Sequence, residues 1–85
     1  MTYSVEVERT AEKELLALPP RVRARILGAL QKLATDPFTT PNVKALKGGA
    51  HRMRVGDYRV IFSIKTEVLV VLVVKIGHRK DVYRD

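Results

Sequence analysis

The chain contains no cysteine, which excludes disulfides, thiolate nucleophiles and cysteine-based zinc or iron–sulfur sites. Its longest apolar run, residues 68–74, is far shorter than the ~20 residues that span a bilayer. Residues 1–7 lack the basic and apolar regions of a signal peptide. No cluster of acids and histidines with metal-ligand spacing is visible, so we expect neither a metal nor a cofactor. We expect one domain, residues 1–85, in the cytoplasm, with no membrane partner.

Acidic residues are also scarce. Nine Asp and Glu stand against sixteen Lys and Arg, for a net charge of +7 and an isoelectric point near 10.2. From residue 44 onward the chain holds ten basic and four acidic residues, so almost all of the excess lies there. This distribution predicts a polyanionic partner, which is a nucleic acid, an anionic membrane surface or an acidic protein. The alternative is a well-charged surface with no specific partner.

The first half of the chain has the pattern of a strand followed by two helices. Alternating polar and apolar residues at 3–7 predict a half-buried strand. Thr10 is the predicted N-cap of a first helix that runs to about Ala17. Pro20 suits the first position of a second helix, which ends at Asp36. The second helix carries one apolar stripe, formed by Val22, Ile26, Leu27, Leu30 and Leu33.

The second half has the pattern of strands. Residues 38–50 read as a loop, and three strands are predicted at 51–55, 58–65 and 68–76. Residues 68–74 are apolar on both faces, which predicts a central strand covered on each side. The order is β-α-α-β-β-β. We expect an α+β domain in which a helical hairpin packs on a small, mostly antiparallel sheet.

The turn between the first two of these strands fixes their register. With Gly56 and Asp57 as a two-residue loop, Arg54 pairs with Arg59, and Arg52 lies on the same face. The other face is the core face, formed by Met53, Val55, Tyr58, Val60 and Phe62. Two arginines directly opposite each other destabilise a sheet by a few tenths to ~1 kcal/mol. The arginines indicate an anion site that grips phosphate oxygens, or else an arginine-rich solvated face.

The segment 77–84 adds a second polar group. His78 can titrate near neutral pH, Arg79 keeps its charge, and Tyr83 offers a ring for base stacking. The alternatives are that His78 caps a strand or helix and that Tyr83 closes the core.

Three motifs resemble a known family. The runs LKG at 46–48, RMRVGDYRVIF at 52–62 and IGHRKDVY at 76–83 are similar to the RelE/ParE superfamily of toxins from type II toxin–antitoxin modules. The likeness extends over nearly the whole chain and includes LLAL at 15–18 and LATDP at 33–37. The strand motifs are specific, whereas the helical motifs are weak.

The resemblance implies an mRNA interferase of the RelE branch, which binds in the ribosomal A site and cuts mRNA there. It implies a metal-independent endoribonuclease that uses the 2′-hydroxyl of the substrate. It also implies a cognate acidic antitoxin, which is RelB-like or of another family. The toxin would contact operator DNA only through that antitoxin. The family's functional positions fall on Arg52, Arg54, Arg59, His78, Arg79 and Tyr83. The further basic residues expected to bind RNA are Lys44, Lys47, Lys80 and Arg84.

The same resemblance implies a role for each of these functional residues. Arg52, Arg54 and Arg59 would stabilise the phosphorane, and Tyr83 would stack a splayed base. Arg79 or His78 would assist the leaving oxygen. RelE-type toxins typically carry Lys where this chain has Arg52 and Arg54. A guanidinium does not accept a proton, so the general base is left unassigned.

Two other functions share the fold. One is a ParE-type toxin that inhibits DNA gyrase without hydrolysing anything itself. That branch generally lacks the full set of arginines and tyrosine. The other is a catalytically inactive relative that pairs with an antitoxin to repress an operon.

Overall fold

The computed structural model describes residues 2–78, in which two helices pack on a five-stranded sheet. The strands are β1 (Ser4–Val7), β2 (Val43–Ala45), β3 (Ala50–Val55), β4 (Tyr58–Lys65) and β5 (Val70–His78), and the helices are α1 (Arg9–Leu16) and α2 (Pro20–Thr35). The strand order is β1-β5-β4-β3-β2. β1 runs parallel to β5, and all other neighbouring pairs are antiparallel. The predicted α+β fold is confirmed.

Each helix buries one apolar stripe against the sheet. Ala11 and Leu15 are buried on α1, and Ile26, Leu30 and Leu33 are buried on α2. Spacings of three and four residues place such side chains on one side of a helix. Leu27, which the sequence assigned to the same stripe, is 45% exposed. It lies about 100° around the helix from Ile26, so it points away from the sheet.

The predicted N-cap of α1 is wrong. Glu8, with an extended backbone, precedes the helix, and Thr10 is its second residue. The Glu8 N–H is donated to the Val73 carbonyl of β5 at 2.9 Å, while the Glu8 carbonyl accepts the Glu12 N–H at 2.8 Å. One residue therefore ends the pairing of β1 and begins the helix. This tertiary hydrogen bond takes priority over the capping preference of threonine.

The other helix has the predicted boundaries. α2 begins at Pro20, and Asp36 follows it with an extended backbone. The Asp36 carboxylate accepts the Phe38 N–H at 3.0 Å. A hydrogen bond from the Thr39 hydroxyl, together with the one from Phe38, holds the pKa of the Asp36 carboxyl below its ordinary value. The turn after α2 is thus built around an ionised carboxylate.

The core lies between the helices and one face of the sheet. Its strand residues are fully buried or nearly so, and they are Met53, Val60, Phe62, Val71, Val73 and Ile76. Phe62 lies at the centre of β4, and the His51 ring stacks on it at a centroid distance of 5.5 Å. Alternation along each strand sends the intervening side chains to the face away from the helices. No helix covers that face of the sheet in the described part of the chain.

The predicted register of the β3–β4 hairpin is confirmed. Val55 pairs with Tyr58 and Arg54 with Arg59, and the remaining pairs follow to His51. Gly56 adopts a φ of +61° in the turn, a conformation that glycine reaches at little cost. A Cβ at this position would also lie 3.3 Å from the guanidinium of Arg25. Glycine therefore supplies the backbone conformation of the turn, and its lack of a side chain leaves room for the end of the Arg25 side chain.

The region predicted as a loop at 38–50 is partly regular. Residues Val43–Ala45 form β2, paired with β3, and Lys47–Gly49 form a 3₁₀ turn. A three-residue strand is too short to show an alternating pattern, and pairing with β3 holds it in place. β5 begins at Val70 instead of residue 68, because Leu69 turns with a φ of +55°.

The predicted central position of β5 is confirmed, since it lies between β1 and β4. Its predicted cover on both faces is not found for the described residues. Val71 and Val73 are buried against the helices, whereas Leu72 and Val74 on the other face are only half-buried. Both helices lie on the core side, so full burial reaches that side alone.

A bulge in β5 is bridged by α1. Ile61 pairs with Lys75 but Phe62 pairs with Val73, so one extra residue is accommodated at this point of β5. Pairing with β1 also stops at Val73. Beyond it, Glu14 of α1 accepts the Ile76 N–H at 2.8 Å and the Lys75 ammonium at 3.1 Å. A carboxylate thus takes the place of a neighbouring strand.

Candidate active site

Three arginines of the β3–β4 hairpin share the sheet face that points away from the helices. Arg54 is directly opposite Arg59, and Arg52 precedes Arg54 by two residues. Residues two apart in a strand, and residues paired across strands, project on the same side. Met53 and Val60, which alternate with the arginines, are buried in the core. The structure therefore brings these three predicted residues together.

Lys44 adds a fourth cation to this face. It lies on β2 directly opposite Arg52. The sequence marked Lys44 as an RNA-binding residue by its charge and gave it no position. Pairing of β2 with β3 places it beside the arginines, because side chains opposite each other lie on one face of a sheet. We call Lys44, Arg52, Arg54 and Arg59 the cationic cluster.

The cationic cluster lines a depression of about 320 Å³, with Asn42 and Val43 completing its wall. This volume is near the lower end of the ~300–1,000 Å³ typical of ligand sites. No carboxylate from residues 2–78 is among the lining groups. Three guanidinium groups and an ammonium that converge in this way suit an anion with several oxygens, such as a phosphate diester.

Exposure falls from the rim of the depression to its floor. Lys44 and Arg54 are exposed and Arg52 is half-buried, while Arg59 is only 8% exposed. Arg59 lies on β4, in the middle of the sheet, and one of its Nη atoms donates to the Tyr58 carbonyl at 3.2 Å. A charge shielded from water interacts more strongly with a ligand. Of the four cations, Arg59 is thus the one whose charge water screens least.

Two residues that line the depression, Asn42 and Val43, were not predicted as site residues from the sequence. Asn42 adopts a φ of +67°, and its carbonyl accepts the Arg54 N–H at 3.0 Å. This bond extends the ladder beyond β2 and holds the wall of the depression against β3. Asparagine tolerates the left-handed conformation better than most residues. The pair Pro41-Asn42 is a turn signal that would have pointed to a chain reversal here.

His78 is not brought to the depression. It pairs with Tyr58, and the two rings meet edge to face at 5.4 Å. Its neighbour Gly77 is the residue opposite Arg59. The bulge decides this arrangement: Val71 and Val73 face the core, and strict alternation from them would send His78 to the arginine side. The extra residue reverses the alternation, so His78 shares the core side with Ile76.

The other predicted site residues fall outside this arrangement or outside the described chain. Lys47 lies exposed in the 3₁₀ turn and does not line the depression. Arg79, Lys80, Tyr83 and Arg84 lie outside the described residues.

A larger groove of about 660 Å³ adjoins the depression, between α2 and β3. It shares Asn42 and Arg54 with the depression, and α2 contributes Arg25 and Lys32 to its wall. The basic surface therefore continues from the open face of the sheet around the β3 side to the second helix.

The family of the chain follows from its match to known proteins. Residues 5–83 match the model of the ParE toxin of the type II toxin–antitoxin system parDE. The chain belongs to this toxin family. The resemblance to the RelE/ParE superfamily expected from the sequence is confirmed.

Toxins of the same superfamily are similar along the whole chain. The toxin RelG of Mycobacterium tuberculosis is 31% identical over 86 residues, which are 99% of each chain. A crystal structure of the RelBE2 toxin–antitoxin complex from the same species contains a chain 30% identical, with a TM-score of 0.82, covering 93% of this chain and 100% of that one. A chain of the archaeal RelE–RelB complex from Pyrococcus horikoshii is 29% identical, with a TM-score of 0.78, covering 93% and 97%. This type II toxin is therefore RelE-like in sequence and fold.

Two further observations bear on what the toxin can bind. Within residues 2–78, no three acidic, histidine or cysteine side chains converge as a metal-binding group. No helix in the same part of the chain is long and apolar enough to cross a membrane. Among these residues, those that line the depression present guanidinium and ammonium cations, with Asn42 and Val43 beside them.

Proposed function

We propose that this toxin is a ribosome-dependent endoribonuclease that cuts mRNA in the A site and thereby stops translation in the cytoplasm. The observation that carries the proposal is the convergence of the cationic cluster on one rigid sheet face. Family membership alone would leave the target open, because related toxins share a fold. A buried arginine with exposed cations around it fits a phosphate diester on which negative charge grows during reaction.

The proposed reaction is metal-independent and uses the adjacent 2′-hydroxyl of the RNA as nucleophile. Arg59 stabilises the charge of the phosphorane from the floor of the depression, and Arg52 and Arg54 bind its outer oxygens. Tyr83 stacks a splayed base, and Arg79 donates a hydrogen bond near the leaving oxygen. The ribosome supplies the position of the substrate, which matters because orientation itself accelerates such reactions.

We also propose a cognate acidic antitoxin as the partner of this toxin. Relatives in crystal structures are paired with RelB antitoxins, and the net charge of +7 favours an acidic partner. Operator DNA would be reached only through that antitoxin. Co-expression with an acidic protein encoded by the adjacent gene should yield a complex and restore growth. Separate elution of the two proteins with continued growth arrest would refute the pairing.

The test of the ribonuclease is cleavage of a defined mRNA on programmed ribosomes with a filled P site. Primer extension should locate one cut in the A-site codon, and the upstream product should end in a 2′,3′-cyclic phosphate. The control is Arg21→Met, which removes an exposed arginine of α2 that lines neither concavity. Intact mRNA after incubation with folded toxin would refute the proposal.

Inhibition of DNA gyrase is the second candidate, because the matching family model describes the ParE toxin of parDE. If the toxin inhibits gyrase, it should stop purified gyrase from supercoiling DNA. It should also leave mRNA on ribosomes intact. The two assays, run on one preparation, give opposite results for the two functions. A toxin that affects neither, yet binds its antitoxin on operator DNA, would be the inactive co-repressor.

A further inference from the structure

The cationic cluster contains three groups that stabilise charge but cannot move a proton. An arginine keeps its proton under all physiological conditions. Cleavage by the 2′-hydroxyl expels a 5′-oxygen, which leaves as a strongly basic alkoxide unless it receives a proton. General acid catalysis of such a step contributes ~10²–10⁴-fold. If the proposed cleavage holds, a proton donor should lie within the depression.

Among residues 2–78, Lys44 is the side chain of the depression that can act as this donor. The other lining groups from residues 2–78 are three arginines, Asn42 and Val43, none of which exchanges a proton near neutral pH. His78, which the sequence offered with Arg79 as a group to assist the leaving oxygen, projects from the other face of the sheet. A lysine ammonium is a stronger acid than an alcohol, so transfer of its proton to a departing alkoxide is favourable.

The position of Lys44 fits the role. It is held opposite Arg52 by the pairing of β2 with β3, on the exposed side of the depression, whereas Arg59 forms the floor. A phosphate bound between Arg52, Arg54 and Arg59 would therefore have Lys44 at its solvent side. The long, flexible stem of lysine allows its ammonium to follow the departing oxygen.

We propose that Lys44 is the general acid of RNA cleavage by this toxin. The 2′-oxygen forms a bond to phosphorus as its proton passes to solvent water, and the bond from phosphorus to the 5′-oxygen breaks. Lys44 Nζ gives its proton to that 5′-oxygen. The products are a 2′,3′-cyclic phosphate and a 5′-hydroxyl, and Lys44 regains a proton from water.

The experiment compares two mRNAs on programmed ribosomes under single-turnover conditions. One has the natural scissile bond, and the other has sulfur in place of the bridging 5′-oxygen, a leaving group that departs without protonation. Lys44→Arg keeps the charge and removes the transferable proton. We expect it to slow cleavage of the natural mRNA by ~10²-fold or more, and to cut the sulfur-bridged mRNA at the wild-type rate.

The control is Lys65→Arg, which changes an exposed lysine four residues along β4 from Ile61, the partner of Arg52. At about 3.3 Å per residue, Lys65 lies ~13 Å along β4 from Ile61. The variant should therefore cut both mRNAs at the wild-type rate. Thermal melts and ribosome binding of both variants should match the wild type.

The outcomes distinguish the role of Lys44 from the ribonuclease activity on which it rests. Equal slowing of both mRNAs by Lys44→Arg, or no slowing of either, would refute the role of Lys44 while the ribonuclease stands. A wild-type toxin that cuts neither mRNA would refute the ribonuclease itself.

Discussion

Replacement of Arg59 by methionine separates charge stabilisation from packing. Methionine fills much of the volume of the buried arginine stem but carries no charge and donates no hydrogen bond. The variant loses the bond to the Tyr58 carbonyl, worth about 0.5–1.5 kcal/mol. It also relieves the like-charge pair with Arg54, worth about 0.2–1 kcal/mol. These two terms oppose each other, so together they change the free energy of unfolding by no more than ~1 kcal/mol.

The effect on cleavage should be much larger. Arg59 is 8% exposed, so its charge acts on the scissile phosphate with little screening by water. Loss of one preorganised donor to a transition-state anion costs about 10²–10³-fold in rate, which is about 2.7–4 kcal/mol. Single-turnover cleavage of mRNA on programmed ribosomes measures this rate, and thermal melts measure the stability.

A comparison with Arg54→Met gives the internal standard. Arg54 has the same charge but is exposed at the rim, so its loss should slow cleavage less than the loss of Arg59. An Arg59→Met toxin that melts like the wild type and cuts at the wild-type rate would refute the reasoning. The arginine face would then serve only to dock the toxin on the ribosome.

Three further predictions concern stability and chemistry. Glu14→Ala should lower the free energy of unfolding in urea by about 1.5–3 kcal/mol, because it leaves the Ile76 N–H without its charged acceptor. Lys75→Met removes only the exposed ion pair and should cost less than ~1 kcal/mol; equal losses would show that the backbone bond is unimportant. Because folding lowers the pKa of Asp36, the native carboxylate adds stability above its unfolded pKa of about 3.9 and loses it as the pH falls through the lower folded pKa. The advantage of wild type over Asp36→Asn should therefore be present at neutral pH and shrink in acid, and a constant difference would contradict the shift. Finally, sulfur at a nonbridging oxygen of the scissile phosphate should slow cleavage equally in Mg²⁺ and Mn²⁺, whereas rescue by the softer Mn²⁺ would reveal a catalytic metal.

The arginine face could be predicted because two local rules determine it. A two-residue turn at Gly56 and Asp57 sets the pairing of β3 with β4, and the period of two then assigns every side chain to a face. Both rules act within a few residues, and the observed pairs agree with them. The likeness to toxin motifs pointed to the same residues independently.

The rest of the site depends on pairing between distant segments. β2 has three residues, so nothing in its own sequence distinguishes a strand from a loop, and Lys44 had no predicted neighbour. The face of His78 depends on a bulge in β5 that is set by β4 and bridged from α1 by Glu14. The start of α1 at Arg9 likewise depends on a bond from Glu8 to β5. No local pattern reports such contacts.

The parallel pairing of β1 with β5 has a consequence for the order of folding. Ser4 meets Val70 in this pair, so it joins segments from opposite ends of the described chain. The arginine hairpin, by contrast, closes through a turn of two residues. Closing a long loop costs more entropy than closing a short one, and local contacts generally form first. We therefore expect the hairpin to belong to the folding nucleus and the β1–β5 seam to close last. Substitutions in the hairpin should then slow folding, whereas those along the seam should mainly hasten unfolding.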